Sequence, residues 1–331
     1  MLALLLAATF LTPGNHSVGY RAEAVRDVHR GGRTVWVQAW YPAAVSKAAP
    51  MAYGDYFKGV PEPLRQRSVS VHEWAARTYH GNTGKLFASA TNTHRNATPA
   101  TGSFPLIVYG GGAGNSIDEN AVLGEYLASN GFVFVAVPAT GQSAADITLD
   151  AAGLETEARD MELAAEWGKR LPSVARKGWI AGGFSFGGQA ATVIAGRQPD
   201  VTAVFLLDSS TTMKAFAPLV VSAPSFKPDR LTAPILDLHL AGENVTYDVL
   251  DRFIYSQRVS YDIEGPRHVD FNAFPLLYAP DTKRAEVYEW IARTVLSFAE
   301  GKRMFRGTNA YRTRARRRDA LRNQLEGMET R

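Results

Sequence analysis

The chain has 331 residues, 46% of them apolar and 21% charged, a composition that supports a large core in an ordinary globular protein. It contains no cysteine, which excludes thiol nucleophiles, disulfides and thiolate metal sites. The net charge of +4 sits in the last 30 residues, where ten Lys and Arg outnumber three Asp and Glu; the other 301 residues carry a balance of −3, so no basic face for nucleic acid is expected on the folded body.

Residues 1–18 open with an apolar run ending near Leu11, too short to span a bilayer but of the length of an export signal's apolar core. No Lys or Arg precedes it and no Ala-x-Ala site follows. A buried first strand or a mis-set start are the alternatives. With the signal, the protein is secreted or periplasmic; without it, cytoplasmic.

Two β-rich runs, 25–30 and 33–40, flank Gly31-Gly32 and predict a hairpin. Residues 43–103 show no sustained period and read as a surface insertion with short helices around 61–68 and 73–79, one that could close over a site. His72, His80 and His94 lack metal-ligand spacing and fit its surface, while Trp40 and Tyr109 fit the core.

From Phe104 onward apolar runs alternate with helical segments. The runs lie at 105–109, 132–138, 179–181, 201–207, 235–240 and 259–263; the helices at 118–130, 151–171, 189–197 and 283–300. Such alternation predicts an α/β fold with a mostly parallel central sheet, helices on both faces and the N-terminal hairpin as an antiparallel edge. The domain is expected over 19–301, followed by a basic tail at 302–331. That tail suits either contact with an anionic surface or a solvated end.

Gly183-Phe184-Ser185-Phe186-Gly187-Gly188 lies between an apolar run and a helical segment. Gly-x-Ser-x-Gly in that context is a nucleophile elbow: a sharp turn lifts the serine hydroxyl from the sheet, and the helix start directs N–H groups at developing negative charge. Gly110-Gly111-Gly112 after the earlier run 105–109 supplies a second loop, so the oxyanion donors are expected at Phe186 and within one residue of Gly112. The loop has neither the Gly-Lys-Ser/Thr nor the Gly-x-Gly-x-x-Gly of a phosphate cradle.

Only His239 and His268 follow the serine. His239 falls inside an apolar run and is held by the sheet, which leaves His268, in the segment 265–271, as general base. The acid is Asp208, Glu243 or Asp248, all near strand ends on the same side of the sheet. Phe184, Phe186 and Phe271 suit an acyl pocket or plain packing.

These residues resemble the bacterial α/β-hydrolases related to platelet-activating factor acetylhydrolase, with kinship to dienelactone and polyester hydrolases. The resemblance rests on Trp40-Tyr41-Pro42, the Pro-Leu-Ile-Val run before the glycines, Gly-Phe-Ser-Phe-Gly-Gly at 183–188, Asp208 at a strand end, and Arg-His-Val-Asp-Phe at 267–271. It covers about residues 20 to 300 and departs from the family at Gly110 and Phe184, where histidine is common. It implies Asp208 as the acid, and hydrolysis of short-chain or acetyl carboxylic esters through an acyl-enzyme, with no cofactor or metal. The substrate is then a small-molecule or lipid ester. Acyl transfer to an alcohol by the same residues, or an inactive hydrolase-fold binding protein, are the competing readings.

Overall fold

The structure, a computed structural model, describes residues 11–142 and 146–301 together with the backbone of a strand at Thr313–Arg318. The first strands, β1 (Ser17–Asp27) and β2 (Arg33–Ala43), pair antiparallel through eleven residues each. Their turn is set by Asp27, whose carboxylate accepts from the His29 N–H and the Arg30 guanidinium and whose carbonyl accepts from Gly32. Residues just ahead of the hairpin also belong to the fold: Leu11 is buried, and Gly14 donates to the Ser129 hydroxyl. The apolar residues 1–10 lie outside the described residues.

The segment expected to be a surface insertion is instead part of the core. A 3-10 turn at Tyr53–Phe57 leads to one continuous helix, α1 (Glu62–Thr78), where two short ones were expected. Its Leu64, Ser68, His72, Ala75 and Ala76 recur at helical spacing and are buried on one face. That face lacks hydrophobic contrast because a serine and a histidine lie within it. After α2 (Thr83–Phe87), β3 (Thr93–Arg95) joins the sheet parallel to β1. His72 is wholly buried, ringed by Tyr53, Phe57, Phe87, Phe274 and Tyr278 and hydrogen-bonded to Asp118 and Tyr278.

The remainder follows the predicted strands and longer helices, with two short helices, α6 and α7, that were not predicted: β4 (Phe104–Gly110), α3 (Ala121–Ser129), β5 (Val133–Val137), α4 (Ala151–Gly168), β6 (Val174–Phe184), α5 (Phe186–Ala195), β7 (Val201–Leu207), α6 (Ala217–Ser222), β8 (Ile235–Leu240), β9 (Arg258–Ile263), α7 (Phe274–Tyr278) and α8 (Lys283–Ala299). Thr313–Arg318, in the basic tail, forms β10 against β9. The strand order is β10-β9-β8-β7-β6-β4-β5-β2-β1-β3, parallel from β5 to β9. Both faces are covered. Along β4, Leu106 and Val108 join the core under α4 and α5, while Ile107 and Tyr109 join the one under α1, α3 and α8.

The chain leaves β4 for β5 on one side and reaches β6 on the other, so a crevice opens beyond the carboxyl ends of β4 and β6. Among the described residues, no helix is long and apolar enough to cross a membrane.

Candidate active site

Ser185 stands between β6 and α5 with φ 53° and ψ −117°, a left-handed conformation that a serine holds only when its surroundings impose it. The surroundings do so through close backbone packing. A Cβ on Gly183 would lie 2.3 Å from the Gly187 carbonyl carbon, and one on Gly187 would lie 2.1 Å from the Gly110 oxygen. Only glycine permits that approach. The Ser185 carbonyl accepts from the Ser210 N–H at 3.1 Å and its N–H donates to Leu207, which ties the elbow to β7.

Ser185 Oγ lies 3.0 Å from His268 Nε2, and His268 Nδ1 lies 2.6 Å from Asp208 Oδ2. Asp208, buried at the end of β7, also sits at positive φ (38°) and accepts the Leu240 N–H on its other oxygen at 2.9 Å. His268 opens a 3-10 turn, His268–Phe271, and its side chain remains 36% exposed, so the imidazole meets both Asp208 and the cavity. Phe184 stacks on it at 4.5 Å. The structure therefore brings Ser185, His268 and Asp208 into one hydrogen-bonded chain.

The His268 turn is braced from below. Asp270, fully buried, accepts from the Arg267 N–H at 2.7 Å and from the Tyr79 hydroxyl at 2.6 Å. Tyr79 follows α1, so the 43–103 segment underpins the histidine rather than covering the serine.

A cavity of about 520 Å³ opens over Ser185. Its walls include Leu149, Met213, Phe216 and Val245, with Ser210, Thr212 and Glu243 among the polar residues; none of the described wall residues comes from 43–103. Glu243 thus borders the cavity but does not bond the histidine, and Asp248 is exposed outside it. Phe271 is packing, buried in the core. Phe186 is buried too, although it also borders the cavity at the first position of α5.

Of the loop amides expected within one residue of Gly112, Gly112 itself is engaged inside the protein. The Gly112 N–H is not available to a substrate: it donates to both carboxylate oxygens of buried Glu119, at 3.1 and 3.2 Å. The next residue, Ala113, lines the cavity, and its N–H has no acceptor among the described residues. Sequence reasoning missed Glu119, Ser210 and Tyr79. Ser210 Oγ lies 3.5 Å from Ser185 Oγ. Glu119 lies in the turn that leads into α3, and no sequence pattern marked it.

His239 also reaches the cavity wall, yet both its ring nitrogens are taken, Nδ1 by Asp237 at 2.7 Å and Nε2 by Asp262 at 2.8 Å. Burial opposes a charge there, but the two carboxylates override it and raise His239 to about 9. Among the described residues no cluster of three or more His, Asp or Glu is arranged to hold a metal ion.

The family of platelet-activating factor acetylhydrolase, isoform II, matches residues 9–169. A ferulic acid esterase from Streptomyces cinnamoneus has a similar structure, with a TM-score of 0.66 at 18% identity over 92% of this chain and 98% of that one. The chain has the α/β-hydrolase fold. Its resemblance to the platelet-activating factor acetylhydrolase family is carried by the match over residues 9–169, and the structural likeness shows the fold. No curated protein matches the chain.

Proposed function

We propose that the protein is a carboxylic ester hydrolase in which Ser185 is the nucleophile, His268 the general base and Asp208 the acid. The observation that carries the reading is the unbroken Asp208–His268–Ser185 chain at 2.6 and 3.0 Å, with the serine on a strained elbow that opens into a cavity.

Ser185 Oγ attacks the ester carbonyl as His268 Nε2 takes its proton; Asp208 holds the Nδ1–H and stabilises the imidazolium. The N–H groups of Phe186 and Ala113 receive the oxyanion, with the start of α5 adding its dipole. His268 protonates the departing alkoxide, leaving an acyl-enzyme on Ser185. Water then attacks that ester, giving its proton to His268, and the acid product leaves as Ser185 recovers its own.

The apolar walls from Leu149, Met213, Phe216 and Val245 favour neutral acyl groups, short-chain ones first. The structural likeness to a ferulic acid esterase adds an aromatic acyl group as a second arm of the test. p-Nitrophenyl acetate, butyrate and octanoate and methyl ferulate are assayed with wild type and Ser185→Ala. Removing the nucleophile lowers turnover by about 10⁴-fold or more on every ester that the wild type accepts. Turnover by Ser185→Ala equal to wild type sinks the reading.

A further inference from the structure

Three consecutive glycines at 110–112 form a backbone that can present any of its amides, so something other than the loop must choose which one faces the cavity. Glu119 is placed to make the choice. Its carboxylate takes the Gly112 N–H with both oxygens and also accepts the Tyr109 hydroxyl on Oε1 at 2.7 Å. Tyr109 is fixed in turn by Asn120 Nδ2 at 2.6 Å, and Asn120 Oδ1 by the Tyr288 hydroxyl of α8 at 2.7 Å. Every partner in this network is buried.

The same residue reaches the other half of the site through its main chain. The Glu119 carbonyl accepts the Ala273 N–H at 2.9 Å, just beyond the turn that carries His268. One residue thus ties the glycine loop and the histidine segment together. Gly112 also presses on Phe184, the ring stacked on His268: a Cβ there would lie 2.6 Å from it.

We propose that Glu119 is the positioning residue of the esterase site: its carboxylate draws the Gly112 amide away from the cavity, leaving Ala113 as the oxyanion donor, while its carbonyl holds the His268 segment in register. The inference rests on the esterase reading above. The charged and titratable groups facing Glu119 are Tyr109 on β4, the adjacent Asp118, Arg67 on α1, Glu157 on α4 and Tyr288 on α8. Burial is the largest influence and raises the Glu119 carboxyl to about 8, against the Tyr109 and Gly112 hydrogen bonds that favour its charge. Ionisation through that range strengthens the grip on Gly112, because a carboxylate accepts more strongly than a carboxylic acid.

The test compares wild type, Ser185→Ala, Glu119→Gln and Tyr109→Phe on p-nitrophenyl acetate from pH 6 to 10, with binding of a trifluoromethyl ketone that adds to the serine and places an oxyanion on the same donors. Glu119→Gln is expected to lower kcat about 10- to 100-fold with KM within about twofold, a part of what deleting one oxyanion donor costs, and to weaken the ketone by a similar factor. Wild-type kcat rises through about pH 8, and Glu119→Gln lacks that rise. Tyr109→Phe, which keeps the Gly112 bond, is expected to fall between the two. Stoichiometric labelling of Ser185 by a fluorophosphonate shows that each variant is folded. Ser185-dependent wild-type turnover with an unchanged kcat and pH profile in Glu119→Gln overturns the inference, as does a lower kcat with unaltered ketone binding. Wild-type turnover that does not depend on Ser185 defeats the esterase reading itself.

Discussion

Two histidine–aspartate pairs face the same cavity from neighbouring parts of the sheet edge, and they have opposite characters. His268 has one nitrogen on Asp208 and the other on a serine hydroxyl, and its ring is partly exposed. His239 has a carboxylate on each nitrogen and is almost wholly buried. The first can take a proton from Ser185 and return it. The second already carries its proton at neutral pH and has no free nitrogen to offer. On the proposed reading, what suits His268 and not His239 to serve as a base is the identity of its second partner, since an acid on one side is common to both. His72, clamped between Asp118 and Tyr278 inside an aromatic shell, is a third case and belongs with His239 as a structural cross-link.

The comparison is broken most severely at the first pair. Asp208→Asn keeps the shape of the side chain but cannot hold the Nδ1–H of an imidazolium, so kcat on p-nitrophenyl acetate is expected to fall about 10⁴-fold. A loss below tenfold means that another acid serves His268. His239 answers to a different measurement. Its raised folded-state value means that the folded chain binds the proton more tightly than the unfolded one, for which the ordinary value is 6.5. The stabilisation is therefore complete below about pH 6.5 and is lost as pH rises through about 9, an amount of about 3 kcal/mol at most. The urea midpoint of wild type should decline between pH 7 and pH 10, and His239→Gln, which cannot titrate, should lack that component. Parallel declines in the two proteins would mean that His239 is not charged in the folded state.

Much of this was legible in the sequence because the features concerned are local. The elbow is written in six consecutive residues, and His268 could be separated from His239 because an apolar run marks a strand interior. Asp208 could not be separated from Glu243 by chain position alone: both follow strands on the same edge, and only the third dimension brings one carboxylate to the imidazole. The 43–103 segment was misjudged for a related reason. The buried face of α1 includes Ser68 and His72, polar residues satisfied by Leu64, Asp118 and Tyr278, so its helical period is hidden from a hydrophobicity pattern. Glu119 was illegible in the same way, because nothing in the sequence shows that its partners are a backbone amide and a tyrosine.

The smallest expected effect separates Asp248 from the proposed triad. Asp248 lies eight residues beyond β8 and is exposed, and Thr246 Oγ1 accepts from its N–H at 3.3 Å, so its carboxylate faces solvent without a bond to His268. Asp248→Asn is expected to change kcat/KM by less than about twofold, because an exposed charge at that remove is screened by water and salt. Measured beside Asp208→Asn, the two variants make the same chemical change at two acids of the same sheet edge. If the losses were of similar size, the field of several carboxylates rather than one hydrogen bond would be holding the imidazolium, and the distinction between an open and a closed histidine pair would lose its basis. A gap of three orders of magnitude or more assigns the work to the 2.6 Å contact alone.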